Sequence, residues 1–350
     1  MNARLSSRAF TRALAVAGSA AIVVAVFAFA LPSITRYGAV WADLRSLTPL
    51  WLGGLVAAVL VNSLTSALPW RVLLPRLGFL SALAITQAST ALITILPGGA
   101  PAGMALSFAM LRTRRIDRTS AGMTVALSGI WSQLSTFFFP VVALVAVAAS
   151  GPLPRPALWA AIAGIVVIVV AAGLLWVALA GPRRALVLGA ALRAATLLPL
   201  RLARRPPPPW RPTGILRLRK RTLAAIRRHG LALTLATLAN QLTSFLVLDL
   251  SLRAIGIPTA QISVAESFTA WSLARLIESL PLTPGGLGLV ELGLTGTLIA
   301  FGGRHAPVVA AVLLYRALVV IPTLGLGTIA GLTWRFTARD DEGRASRSPG

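Results

Sequence analysis

Two apolar stretches of this chain, 80–111 and 262–302, are broken at their centres, by LPGGAPAG at 96–103 and TPGGLGLVE at 283–291. Such breaks constrain the fold more than length or composition does. Lipid offers no partner for a backbone N–H or C=O, so unwound backbone at membrane depth must be buried in protein or line a wet cavity. Around the breaks run uninterrupted apolar segments at 13–31, 49–68, 119–149, 157–180, 230–252 and 307–334, each near the ~20 residues that cross a bilayer. Composition agrees: 12% of residues are charged, against about 25% in soluble domains, and mean hydropathy is +0.81. The expected fold is an all-α integral membrane protein with about six full transmembrane helices and two broken or re-entrant helical hairpins.

Pro97-Gly98-Gly99 and Pro284-Gly285-Gly286 sit in matching surroundings, each after a polar-flecked helix and before a glycine-containing apolar one. This reads as an internal repeat. The expected organisation is an N-terminal span and outer loop at 1–48, and a first membrane repeat at 49–180 containing the hairpin 80–111. A basic Pro-rich loop at 181–229 precedes a second repeat at 230–334 with the hairpin 262–302, and a disordered tail at 335–350. The Arg4, Arg8 and Arg12 flank and the Ala28-Phe29-Ala30 end of the first segment also fit a cleaved signal peptide.

If both hairpins return to the side they enter, 26 of the 33 Lys/Arg fall on one side of the membrane. The positive-inside rule then makes that side cytoplasmic, with both termini, in a multi-pass inner or plasma membrane protein. The two hairpins would enter from opposite faces, related by an inverted pseudo-twofold. Inverted repeats with interrupted helices are the sequence pointer to a transporter's binding site. Within the basic loop, Pro206 to Pro209 should form a stiff polyproline II segment, and the residues before it an amphipathic helix on the inner leaflet.

Several chemistries are excluded. The chain has no cysteine, which removes disulfides, thiolate catalysis and Cys-ligated metals. Its two histidines, His229 and His305, are expected in loops and form no metal-binding motif. No phosphate-binding GxxxxGK[ST] occurs. No catalytic residues, cofactor or metal site are expected. The net charge of +24 is attributed to loops facing anionic headgroups rather than to nucleic-acid binding.

The charges inside apolar segments are more informative. Arg275 and Glu278 share a helix face before the second break, Glu291 follows it, and Arg316 lies in the last span. The first three fall roughly 9–14 Å from Pro284 at helical rise, so all four can share a depth. A lone charge at the bilayer centre costs on the order of 3 kcal/mol or more, so four persist only if paired or solvated. One reading is a buried network locking hairpin to span. The other is an anion site, in which an arginine holds a phosphate beside the helix N-terminus that starts near Gly286, and Glu291 releases an arginine or titrates. Asp249 and Glu266 are expected nearer the outer interface. Asn62, Gln133, Asn240 and Gln241 are expected to form interhelical hydrogen bonds or line a cavity. GTIAG at 327–331 is a GxxxG packing motif.

The stretch ARLIESLPLTPGGLGLVELGL at 274–294, followed by AAVLLYRAL at 310–318, resembles the lysylphosphatidylglycerol synthase transmembrane-region family. The shared pattern falls on Arg275, Pro284, Gly285, Gly286, Gly288, Glu291, Tyr315 and Arg316, and LPGGAPAGMALSFAML at 96–111 is similar to that family's first glycine-rich break. The resemblance covers about 50–334. It implies a lipid-flippase-like membrane protein, here without the soluble aminoacyl-transferase domain, so lipid aminoacylation is not expected.

Together these readings predict a non-enzymatic flippase or transporter for an amphiphile with an anionic headgroup. Its expected partners are membrane lipids, an anionic phospholipid or a polyprenyl-phosphate-linked substrate, and an envelope-synthesis protein. The expected substrate-binding residues are Arg275, Glu278, Gly285, Gly286, Gly288, Glu291, Tyr315 and Arg316, with Pro97, Gly98 and Gly99. The alternatives are a small-solute secondary transporter, a non-transporting subunit of envelope lipid or glycan synthesis, and a membrane transferase relying on Asp249 and Glu266.

Overall fold

The computed structural model describes residues 47–96, 99–148, 212–280 and 282–345, with scattered positions between 166 and 190; side chains are described as far as 334. All regular structure among them is helical. The first half holds α1 (Pro49–Thr65), α2 (Leu68–Leu73), α3 (Phe79–Ile95), α4 (Ala100–Thr113) and α5 (Arg118–Ala148). The second holds α6 (Pro212–Ala254), α7 (Val264–Ser279), a 3₁₀ turn at Pro284–Gly286, α8 (Leu289–Ala300) and α9 (His305–Ala345). Among the described residues four helices are long and apolar enough to cross a membrane, at Pro49–Leu73, Arg118–Ala143, Arg219–Ala254 and His305–Trp334, close to four of the expected segments. The expected span at 13–31 lies outside the described residues. Of 157–180 only Val166, Val169, Val170 and Gly173 are described, the first three of them helical with Gly173.

Helix ends follow local chemistry. Pro49 opens α1, where a missing N–H costs nothing. At the start of α7, the Ser263 hydroxyl accepts from the Glu266 N–H, while the Glu266 carboxylate accepts from the Ser263 N–H at 2.8 Å, a reciprocal capping box. Asp117 caps α5 by accepting from the Thr119 and Ser120 N–H groups at 3.1 and 3.0 Å, and pairs with Arg221 of α6 at 2.8 Å.

Two segments are more helical than the sequence reading expected. Residues 212–229 belong to α6 rather than to the basic loop, which carries His229 into a helix. Their Leu, Arg, Lys and Ala favour helix, and the 3.6-residue repeat runs straight into the span. Likewise α9 continues to Ala345, through residues expected to be disordered. Pro206–Pro209 lies outside the described residues.

The halves pack crosswise. The leading arm of the first hairpin, α3, lies on α9, and the leading arm of the second, α7, lies on α5. The α3–α9 approach is close at Gly327, where a Cβ would stand 2.4 Å from the Gln87 carbonyl oxygen. In GTIAG, therefore, Gly327 makes the contact while Gly331 faces open space. Across the α5–α7 approach, Phe139, Phe245, Phe268 and Trp271 form an aromatic cluster with ring centroids 5.0–5.8 Å apart. Helices α1 and α6 run antiparallel: Ala58 and Val59 share a core with Val247, Leu248 and Leu252, whereas Leu73, just beyond α1, shares one with Leu233. This is the arrangement an inverted repeat requires.

Candidate functional site

The second break meets the end of the helix that leads into the first. A Cβ at Gly285 would lie 2.7 Å from Thr94 Cγ2 and 3.2 Å from the Thr94 backbone, so the second hairpin's tip rests on the end of α3 with only a hydrogen atom to spare. Gly285 also has φ +55°, as Gly286 and Gly288 have φ +69° and +85°, in the left-handed region that side chains disfavour. The first break uses glycine differently. Gly99 has φ −67°, but its Cβ would stand 2.8 Å from the Leu96 carbonyl oxygen and 2.9 Å from Ile93 Cα. Here glycine permits close packing of α4 on α3. Pro97 and Gly98 lie outside the described residues.

Beside the meeting point the four intramembrane charges form one network. Arg316 Nε donates to Glu291 Oε1 at 2.9 Å, and Nη2 donates to the Gly285 carbonyl at 2.8 Å. Glu291 Oε2 accepts the Gly288 N–H at 2.7 Å, capping α8 in the way an N3 glutamate does. Glu278 lies between the arginines. It pairs with Arg275 Nη1 through Oε2 and stands 3.8 Å from Arg316 Nη1 through Oε1. Arg275 Nη2 donates to Gln241 Oε1 at 3.1 Å, and Gln241 Nε2 donates to Ser135 Oγ at 3.4 Å. Five helices, α5 to α9, are thereby tied through one polar chain. Within it Arg275 Nε is buried without a partner.

The network forms one wall of a cavity of about 450 Å³. Arg275, Glu278, Gly285, Gly286, Arg316 and Gly99 line it. Gly288, Glu291 and Tyr315 lie behind the wall: Glu291 is 1% exposed, and Tyr315 packs in the core with its hydroxyl 3.4 Å from Ser244 Oγ. The cavity face thus carries two guanidiniums and one carboxylate, with the balancing charge buried behind Arg316. Side-chain exposures of 26% for Arg275 and 31% for Glu278, against 7% for Arg316 and 2% for Glu291, separate a solvated pair from a buried one.

The remaining walls are hydroxyls and amides in helical register. On α3 they are Thr86, Thr90 and Thr94; on α5, Ser128, Ser132 and Thr136; on α6, Thr237, Asn240, Gln241 and Ser244. The amides Asn62, Gln133, Asn240 and Gln241 line the cavity, one of the two expected roles, while the hydroxyl stripes escaped the sequence reading, although their four-residue spacing in otherwise apolar helices was there to mark one face. One side is apolar. Ile93, Leu96, Met104 and Leu280, from both hairpins, line the cavity and are between 37% and 51% exposed.

Asp249 and Glu266 do not line the cavity. Asp249 accepts from Arg253 at 2.7 Å and Ser267 at 2.9 Å, and Glu266 is occupied in its capping box. Among the described residues no group of His, Asp and Glu is arranged to hold a metal ion.

Crossed halves, paired broken hairpins and a polar cavity with compensated charges define a polytopic all-α membrane protein whose working surface lies inside the helical bundle. The family model described as lysylphosphatidylglycerol synthase TM region matches residues 13–327, and the chain belongs to that family. No curated protein matches it.

Proposed function

We propose that the protein moves an amphiphile with an anionic headgroup between membrane leaflets, the headgroup crossing through the polar cavity while its apolar tail stays in lipid. One observation carries this reading: a single cavity joins the Arg275, Glu278 and Arg316 wall to an exposed apolar rim built from the tips of both hairpins. A small soluble solute needs the first feature and has no use for the second. Arg275 is the headgroup's anchor, because its guanidinium lines the cavity on a side chain that is 26% exposed. Glu278 is the carboxylate that exchanges with it: a phosphate displacing Glu278 would gain charge-assisted hydrogen bonds from the guanidinium. Glu291, with both oxygens occupied, supports Arg316 from behind the wall.

The arginine bias of the loops supports a cytoplasmic location for both termini. The reading is of transport rather than catalysis, since both carboxylates of the transferase alternative are committed to local contacts outside the cavity. The test is reconstitution into liposomes with headgroup-labelled lipids. Arg275→Ala and Glu278→Gln should slow leaflet exchange at least tenfold while preserving folded protein. Unchanged exchange in both well-folded variants would mean that the charges only hold helices together.

A further inference from the structure

The chain contains three asparagines, and two of them open matching N-x-L-T-S pentads. Asn62-Ser63-Leu64-Thr65-Ser66 closes α1, and Asn240-Gln241-Leu242-Thr243-Ser244 lies within α6. Each sits in the membrane span that precedes a broken hairpin. In space they meet: Thr65 Oγ1 and Thr243 Oγ1 are 2.9 Å apart. Each hydroxyl also lies 2.9 Å from the carbonyl three residues back on its own helix, at Asn62 and at Asn240. Where a twofold relates two antiparallel helices, a residue that touches its own equivalent lies at the axis. Thr65 and Thr243 therefore lie at the axis that relates the two helices.

The symmetry is broken at one contact. Thr243 Oγ1 reaches Asn62 Oδ1 at 3.2 Å, and no equivalent contact joins Thr65 to Asn240. Both asparagines line the cavity, but the Asn62 amide oxygen is taken by Thr243, whereas the Asn240 side chain has no hydrogen-bond partner among the described residues. If the two halves exchanged conformations, Thr65 would engage the Asn240 amide oxygen and that of Asn62 would be freed within the cavity it already lines.

We propose that the paired pentads are both the fulcrum of the two halves and a two-position headgroup site. Asn240 is offered to the substrate in this state and Asn62 in the opposite one. An amide both donates and accepts, so the class of group it takes is a neutral hydroxyl-bearing part of the head, beside the phosphate that Arg275 holds. The choice of substrate rests on the transport reading; the fulcrum does not.

The absence of native cysteine makes the test direct. Thr65→Cys/Thr243→Cys is combined with a cavity reporter, Ser128→Cys, in proteoliposomes, and the reduced protein serves as the folding control. A disulfide requires Cβ atoms about 3.5–4.5 Å apart, which hydroxyls in contact make accessible. Oxidation should go to completion, and an impermeant maleimide should still label Ser128→Cys from both faces at rates within about twofold of the reduced protein. A disulfide that stalls at a partial fraction overturns the fulcrum. So does labelling from one face only before oxidation, or a reductant-reversible loss of one face after it. For the paired site, glycerol 3-phosphate is the probe. Its protection of Ser128→Cys should weaken about tenfold from one face in Asn240→Ala and from the other in Asn62→Ala. Equal loss from both faces, or none, overturns the two-position site. Lipid exchange in the same vesicles reports separately: its absence with two-faced labelling intact defeats the transport reading and leaves the fulcrum standing.

Discussion

Glutamine at position 291 separates a strut from a working group. In the wild type both carboxylate oxygens of Glu291 are occupied, Oε1 by Arg316 Nε at 2.9 Å and Oε2 by the Gly288 N–H at 2.7 Å. Glutamine keeps the shape and one acceptor, but its NH₂ must then face a donor, and at 1% exposure no bulk water relieves the contact. The nearest remaining carboxylate, Glu278, stands 3.8 Å from Arg316 Nη1, too far for a full hydrogen bond. Removing one partner of a buried ion pair costs about 3–5 kcal/mol. With partial compensation from Glu278, Glu291→Gln should cost about 2–4 kcal/mol. Glu278→Gln breaks a partly solvated pair and should cost less than about 1 kcal/mol. Reversible unfolding in mixed micelles, followed by tryptophan fluorescence with buried Trp271 as the reporter, measures both. A double-mutant cycle with Arg316→Gln isolates the coupling, expected to be at least about 2 kcal/mol. A Glu291→Gln protein as stable as wild type but deficient in leaflet exchange would refute the reasoning, because the buried carboxylate would then act in the cycle itself.

Three further outcomes are expected. Gly285→Ala forces a side chain into left-handed backbone, at about 1–2 kcal/mol, and against Thr94 Cγ2; its lowered melting midpoint should be partly restored by Thr94→Ser, which removes the methyl group. Gln241→Leu deletes the acceptor that aims Arg275, and should weaken binding of a glycerol 3-phosphate probe several-fold in equilibrium titration while changing stability by about 1 kcal/mol. Hydrogen bonds from the Ser120 hydroxyl and N–H, with Arg221 alongside, hold the Asp117 carboxyl well below the usual carboxylate range. Its contribution to stability is then fully present above the unfolded value near about 4 and is lost as pH falls through the lower folded value. Asp117→Asn should accordingly lower the thermal midpoint at pH 7, and the difference from wild type should shrink under progressively acid conditions.

Much of this architecture is legible in one dimension because its causes are local. A run of apolar residues of bilayer length, such as 307–334, needs no partner to declare itself, and the two glycine-rich interruptions announce a cavity because lipid cannot satisfy unwound backbone. The depth shared by Arg275, Glu278, Glu291 and Arg316 followed from helical rise alone. What remained hidden depends on which faces meet. Helical rise places Glu291 at the level of Arg316 but not its side chain, and only the packing of α8 on α9 buries it behind the wall while leaving Glu278 in front. The hydroxyl stripes on α3, α5 and α6 each mark a helix face by their spacing, but only the crossing of the halves joins those faces into one surface. The repeated N-x-L-T-S pentad was printed in the chain, yet its meaning lies in a contact between α1 and α6. Composition and periodicity act along the chain and can be read from it. Charge pairing, symmetry and enclosure act between segments remote in sequence, and only the packed molecule decides them.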